Sequence, residues 1–416
     1  MSDQSPKVSR RTVLAGSAAA GFVPLGASRD EKSWVATWAA PPTSIPPGEP
    51  RVLHDQTVRH VAHTSIGGDQ VRVRLSNEFG AAPLRIGEVR VGLRSGDDAS
   101  TDVARGSSRR VLFSGRREIT IPAGAPAVSD PVDIVVPDGA DLVVSLYLPD
   151  RSPVTTLFAF AYQDNVIAAG NVTGAAHVTP SETIGQVLFL SGLSVRTRGS
   201  AVVTLGDSIT NGAITRTNAN HRWPDLFAAR LRASGRRHGV ANVGISGNRL
   251  LHDPNPPAGP AEAYAAYFGQ SALRRFDRDV LAQPAAAHLI VLLGVNDLGH
   301  PGTSAPPSET VSADEIIGGH RQLVARAHAA GIRALGSTIL PFRGDSLGFW
   351  SPENERKRAA VNRWIRTSGE YDGVIDFDAA TRDPADPLRL RPDFNSGDGL
   401  HPNDAGMAAM AAVAHL

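Results

Sequence analysis

Apolar and polar positions alternate through most of the first half of the chain. Val71-Arg72-Val73-Arg74-Leu75 repeats every second residue, as a strand with one buried face does. Leu84-Arg85-Ile86, Val89-Arg90-Val91, Glu118-Ile119-Thr120-Ile121, Val132-Asp133-Ile134-Val135-Val136 and the run 142–148 share that habit, separated by Gly, Pro, Asp and Asn clusters. No amphipathic helical period interrupts them between about residues 33 and 195, which predicts an all-β sandwich, antiparallel in pairing. The pattern changes near residues 196–200. Residues 201–205 and 288–293 are almost unbroken apolar runs, as parallel strands covered on both faces are. Helical stretches are expected at 224–234, 313–330, 353–367 and 404–416, and further strands at 240–245, 332–340 and 374–377. Ile316, Ile317, Leu323, Val324 and Ala327 mark the buried face of the second helix. Repeated β-α units imply a parallel sheet in a three-layer α/β/α sandwich. The expected organisation is therefore a β-sandwich accessory domain at 28–197 and an α/β domain at 198–416.

The first 27 residues fit neither region. Arg10-Arg11 precedes a mildly apolar, Ala/Gly-rich run broken by Gly16, Gly21 and Pro24, with small residues near Gly26-Ala27. This resembles a twin-arginine export signal, cleaved near residue 28, which carries a folded protein to the periplasm or beyond. The run is shorter than the roughly 20 residues of a membrane span, and no later segment is long and apolar enough, so stable membrane insertion is not expected.

Charge and cysteine content narrow the chemistry. The formal net charge is +1 and no basic block follows residue 11, so nucleic acid has no electrostatic claim as a partner. The chain has no cysteine, which excludes disulfides, thiolate zinc sites and a thiol nucleophile. His54, His60 and His63 lie close in sequence but without an evident acidic companion, and polar strand positions explain them better than a metal site.

Four short blocks carry candidate chemistry. Gly206-Asp207-Ser208 follows the first α/β strand, and ligands gather at the carboxyl ends of such strands. Asp398-Gly399-Leu400-His401 offers a base and an orienting carboxylate from one loop, the two groups a serine nucleophile requires. Gly294-Val295-Asn296-Asp297 ends the strongest strand, and Gly244-Ile245-Ser246-Gly247-Asn248 follows the second. Each can supply an N–H donor to the oxyanion of acyl transfer. Taken singly, these are also ordinary caps and turns. Asp297 reads as a helix cap, and Asp207 as a brace for its loop.

Together, and in this order, the blocks resemble the SGNH (GDSL) hydrolases. That resemblance implies Ser208 as nucleophile, Asp398 and His401 as the rest of a triad, and an oxyanion hole from Ser208 N–H, Gly247 N–H and the Asn296 amide. It implies no cofactor and no metal. Trp34-Val35-Ala36-Thr37-Trp38, Leu75-Ser76-Asn77-Glu78-Phe79-Gly80 and Trp364-Ile365-Arg366-Thr367 are similar to the exported XynE-like acetyl-xylan-esterase branch, which carries a β-sandwich ahead of the hydrolase domain. The expectation is a secreted esterase that deacetylates a carbohydrate, with a small-molecule or polysaccharide ester as substrate. A lipid or aryl esterase for short to medium acyl chains is the alternative. A non-catalytic carbohydrate-binding protein and a metal-dependent hydrolase using Asp398 and His401 are weaker rivals. Tyr264 and Tyr267, in a Pro-rich insertion, are candidates for a substrate-binding wall.

Overall fold

The computed structural model describes residues 31–255 and 260–416. The export signal expected at 1–27 lies outside the described residues.

The strand Gly68–Ser76 buries Val71, Val73 and Leu75 and leaves Arg72 and Arg74 half-covered, as the alternation predicts. It lies in an antiparallel sheet with Ser33–Ala39 and Leu190–Thr197, and both Pro126–Val128 and Val132–Val136 pair with its other edge. A second antiparallel sheet runs Glu182–Ile184, Asn165–Ala169, Gln56–His63, Asp141–Leu148, Glu88–Ser95. Val58, Ala62, Val89, Val91, Leu142 and Val144 from this sheet join Val71, Val73, Leu75 and Val195 from the first in one hydrophobic core.

Three residues after Thr197 the chain enters Ser200–Gly206, the first of five parallel strands. Their spatial order is His238–Asn242, Ser200–Gly206, Ala286–Leu292, Arg333–Ser337, Gly373–Ile375. Alternate side chains go to opposite faces. Val202, Ile290, Leu292 and Leu335 pack with Trp223, Phe227, Met407 and Met410 of the helices Trp223–Ala233 and Asp404–Val413. Val203, Leu205, Leu289, Val291 and Ala334 face Ile316, Leu323, Ala327, Val361 and Ile365 of Ala313–Ala329 and Pro352–Thr367. Ser312 and Glu315 close a capping box on the first of that pair. With helices on both faces the central strands are apolar throughout, which is why residues 288–293 lack alternation.

The chain leaves the first parallel strand to one side and then crosses back to the other side for Ala286–Leu292. That reversal opens a crevice at the carboxyl ends of these strands. Strands one, two and three of this sheet thus deliver Ser208, Gly247 and Asn296 to the same end.

Lys32–Leu416 is one compact unit. Ser65 bridges its regions, donating from Oγ to the Thr37 carbonyl at 2.6 Å and accepting from Val240 N at 2.7 Å. The Asn218 side chain accepts from Asp164 N at 2.7 Å, and Arg222 donates to the Ala161 carbonyl at 2.6 Å. These bonds dock the 158–164 loop of the strand-rich region against the carboxyl end of the parallel sheet. Among the described residues, no helix is long and apolar enough to cross a membrane.

Candidate active site

Three features fix the turn after the first parallel strand. A Cβ at Gly206 would meet Thr210 Oγ1 at 2.2 Å and the Leu292 carbonyl at 2.9 Å, so only glycine lets the strand end so close to its neighbours. Asp207 then caps the short helix Ser208–Asn211, accepting from Ile209 N at 3.0 Å. Ser208 opens that helix with its hydroxyl toward the crevice. Burial pushes the Asp207 carboxyl up to about 7 despite the Ile209 N–H and the nearby His401.

From the far end of the chain, the loop before Asp404–Val413 brings the partner groups. Asn395 Oδ1 accepts from Gly397 N at 2.9 Å and Gly399 N at 3.0 Å, and Ser346 N donates to the Asp398 carbonyl at 2.8 Å. Gly399 has φ +79°, a conformation open to glycine at no steric cost. The loop so held presents two linked hydrogen bonds. His401 Nδ1 lies 2.5 Å from Asp398 Oδ2, and His401 Nε2 lies 2.8 Å from Ser208 Oγ. The other carboxylate oxygen of Asp398 accepts from Leu400 N and His401 N, each at 2.8 Å. Burial alone would raise the Asp398 carboxyl, but the His401 side-chain and backbone donors hold it well below the ordinary carboxylate range. Asp398 is therefore an anion that fixes the imidazole with its free nitrogen toward Ser208.

Opposite this relay stand donors. Neither Ser208 N–H nor Gly247 N–H is spent on another described residue. Asn296 uses one amide hydrogen on the Asn248 carbonyl at 2.9 Å, which leaves the second. Gly247 has φ +77°, and a Cβ there would sit 2.2 Å from the Phe268 ring. Asn248 organises this side. Its Nδ2 donates to the Phe268 and Gln270 carbonyls, both at 2.8 Å, and its Oδ1 accepts from Arg275 Nε at 3.0 Å. Arg275 is fully buried beside Asp279, at 3.0 Å, and also donates to the carbonyls of Val243 at 2.7 Å and Gly206 at 3.1 Å. One guanidinium thus ties the ends of strands one and two to the residue that seats Asn296.

Ser208, Gly247, Asn296 and His401 line a single cavity of about 510 Å³. Its other walls are mostly apolar: Phe160, Ala213, Ile214, Phe268, Leu347, Phe349 and Leu400, with Tyr162, Ser246, His300, Thr303 and Ser304. Phe160 and Tyr162 come from the docked strand-region loop, and Ile214 and Leu347 are half-exposed at the mouth.

Several placements differ from expectation. Tyr264 and Tyr267 do not line the cavity. They sit in the 3₁₀ turn Pro260–Phe268, where Tyr264 is exposed and Tyr267 packs edge-on against Phe160 at 6.0 Å. The same turn points Phe268 inward instead. Asp297 does not cap its helix, for Gly294 holds that position. Asp297 accepts from Leu250 N at 2.8 Å and Leu251 N at 2.9 Å, tying the second-strand loop to the third, and burial pushes its carboxyl up. His63 does have an acidic companion, Asp141 at 2.7 Å across the strand pair, whereas buried His60 binds the Leu188 backbone. Phe160, Tyr162, Asn248, Arg275 and His300 were not singled out from the sequence. Only the i, i+4 spacing of Arg275 and Asp279 offered a signal.

The whole arrangement can take a proton from a serine and stabilise negative charge on a carbonyl oxygen. Residues 204–409, which span it, match the model of the GDSL-like lipase/acylhydrolase family. No curated protein matches the chain. Among solved structures, a GDSL-like lipase from Bacteroides thetaiotaomicron is similar at 18% identity and TM-score 0.35, over 51% of this chain and 85% of that one. A carbohydrate acetylesterase family member from Sinorhizobium meliloti aligns at 18% identity and TM-score 0.38, over 51% and 94%. An acetyl xylan esterase aligns at 18% identity and TM-score 0.36, over 51% and 96%. The segment that bears the site is a GDSL-like lipase/acylhydrolase domain, and the protein is a carboxylic ester hydrolase.

Proposed function

We propose that the protein cleaves esters through an acyl-enzyme on Ser208, with His401 as general base and acid and Asp398 as its orienting anion. The observation that carries this reading is the unbroken pair of hydrogen bonds, 2.8 and 2.5 Å, from Ser208 through His401 to Asp398. His401 takes the Ser208 proton as Oγ attacks the carbonyl carbon. Charge gathers on the carbonyl oxygen, and Ser208 N–H, Gly247 N–H and the free Asn296 amide hydrogen are the donors available to it. The alcohol departs with the proton from His401. Water then enters, loses a proton to His401, and releases the acid. No step calls for a metal or cofactor.

Of the two substrate classes expected from the sequence, the apolar walls favour a lipid or aryl ester of a short to medium acyl chain. A cavity of about 510 Å³ exceeds the needs of an acetyl group. Deacetylation of a carbohydrate is the second reading, favoured by the aromatic rings of Phe160, Tyr162 and Phe268, on which a pyranose can stack. We read the two antiparallel sheets as a β-sandwich whose loop completes the cleft, and Arg10-Arg11 as part of an export signal that places the enzyme in the periplasm or outside the cell.

A fluorophosphonate that reacts with activated serines tests the assignment. Phosphonylation should map to the peptide containing Ser208, with hydrolysis lost in step and unaffected by chelators. Labelling elsewhere, or full labelling with activity retained, contradicts it. Release of butyrate from tributyrin against acetate from acetylated xylan then separates the two substrate readings.

A further inference from the structure

His300 is the one imidazole of the cleft that the proposed mechanism leaves unused. It lies in the same cavity as Ser208, Asn296 and His401 and is only 4% exposed. Its ring is clamped between Phe268, at 5.3 Å, and Phe349, at 5.5 Å, so its orientation is set by packing. Its ring nitrogens have no hydrogen-bond partner among the described residues. Two neighbouring hydroxyls already hold protein partners. Thr303 Oγ1 donates to the Gly299 carbonyl at 2.8 Å, and Ser246 Oγ accepts from Asn211 Nδ2 at 2.9 Å.

Neither ring nitrogen is among the buried side-chain atoms that lack a partner, so both stay open to the cavity and to whatever fills it. Burial, with the charge of Arg249, pushes the imidazole down to about 3. In working conditions it is therefore neutral, with one N–H donor and one bare nitrogen acceptor, the pair that a hydroxyl can satisfy in either sense. Its position relative to the reaction is set by the chain. His300 follows Asn296 by four residues, and the His300 N–H donates to the Asn296 carbonyl at 3.0 Å, so the two are one helical turn apart. Side chains at that spacing share a face, about 5–6 Å apart at Cβ.

We infer that His300 is a specificity-determining residue that binds a second oxygen of the substrate, about one helical turn from the scissile carbonyl oxygen. The preferred substrate is thus an ester that also carries a free hydroxyl, either on its alcohol part, as in a partially acylated polyol, or on its acyl chain. This rests on the ester-hydrolase reading above and deepens it. A plain alkyl ester leaves the imidazole buried and unpaired during turnover, and a site built to bond a hydroxyl discriminates against such an analogue.

The test is a ratio measured within one protein, which cancels differences in folded fraction. One arm compares glycerol monobutyrate with butyl butyrate, and the other compares ethyl 3-hydroxybutyrate with ethyl butyrate. In the wild type, kcat/KM should favour the hydroxylated member of one arm by about 10-fold or more, and that arm identifies which side of the ester bears the oxygen. In His300→Phe the preference should collapse to near unity. His300→Leu should collapse it as well, guarding against a misfolded phenylalanine variant. A wild type with no preference in either arm overturns the inference, as does a preference that survives both substitutions. Failure of the Ser208 assignment is seen separately, as butyl butyrate hydrolysis that persists in Ser208→Ala.

Discussion

Replacing Arg275 by methionine removes a buried guanidinium from behind the site while roughly preserving its volume. The wild-type side chain donates to four acceptors: Asn248 Oδ1, the carbonyls of Val243 and Gly206, and Asp279 Oδ2. Two of these survive the change. The Gly206 carbonyl still accepts from Ile245 N at 3.1 Å, and Asp279 keeps Arg278 at 2.7 and 3.0 Å. The Val243 carbonyl and Asn248 Oδ1 have no second donor among the described residues and become buried, unpaired acceptors. At about 1–3 kcal/mol for each orphaned group, the variant should lose about 2–6 kcal/mol of stability. Thermal unfolding should fall by roughly 4–12 °C for a chain of this size. Because Asn248 also seats Asn296, kcat should drop at least about tenfold with a smaller change in KM, the mark of lost oxyanion stabilisation rather than lost binding. Differential scanning calorimetry and steady-state kinetics on p-nitrophenyl butyrate measure both. A methionine variant with wild-type melting and wild-type kcat would refute this role for Arg275.

Other expectations follow from the same geometry. Gly247→Ala places a Cβ 2.2 Å from the Phe268 ring at a φ of +77°, so kcat on p-nitrophenyl butyrate should fall by about 10²-fold, the scale of one lost donor. Adding Phe268→Ala relieves the clash but not the backbone strain and should restore only part of the rate. Asn296→Ala should cost about 10²–10³ in kcat with the fold intact by circular dichroism. Asp207 has a folded value of about 7 against an ordinary 3.8, so its contribution to stability is complete below about pH 4 and is lost as pH rises through 7. Asp207→Asn keeps an acceptor for Ile209 N and removes this term. Urea unfolding should show the variant gaining on wild type between pH 4 and 8, by up to about 4 kcal/mol, whereas parallel stability curves would contradict it.

What could be read from the sequence was what is local. Residues 71–75 and 288–293 announced their strands because burial on one face or on two leaves different apolar patterns. Ser208, Gly247, Asn296 and the Asp398–His401 pair stood out because each sits in a short block of glycine and polar residues at a strand or loop end. Their convergence needed the parallel topology as well. The errors were at element ends and at long range. The apolar pattern carries the last strand on to residue 377, but Asp376 leaves it to cap the helix Phe377–Thr381. Ser208–Asn211 is too short to show a helical period. The cleft walls were invisible because Phe160, Phe268 and Leu347 lie far apart in sequence and meet only when the strand-region loop docks. In the insertion, the twist of a 3₁₀ turn decided that Phe268 faces the cleft and Tyr264 the solvent, which aromatic content alone does not specify.

The central claim is that Ser208 is the nucleophile activated by His401. The most direct measurement is hydrolysis of p-nitrophenyl acetate by wild type and Ser208→Ala, with both proteins shown to be folded by their melting profiles. The relay predicts a loss of about 10⁴-fold or more in kcat, as in other serine hydrolases that lose a triad member. Equal rates in the two proteins would contradict the account and move the search for the reacting group away from Ser208.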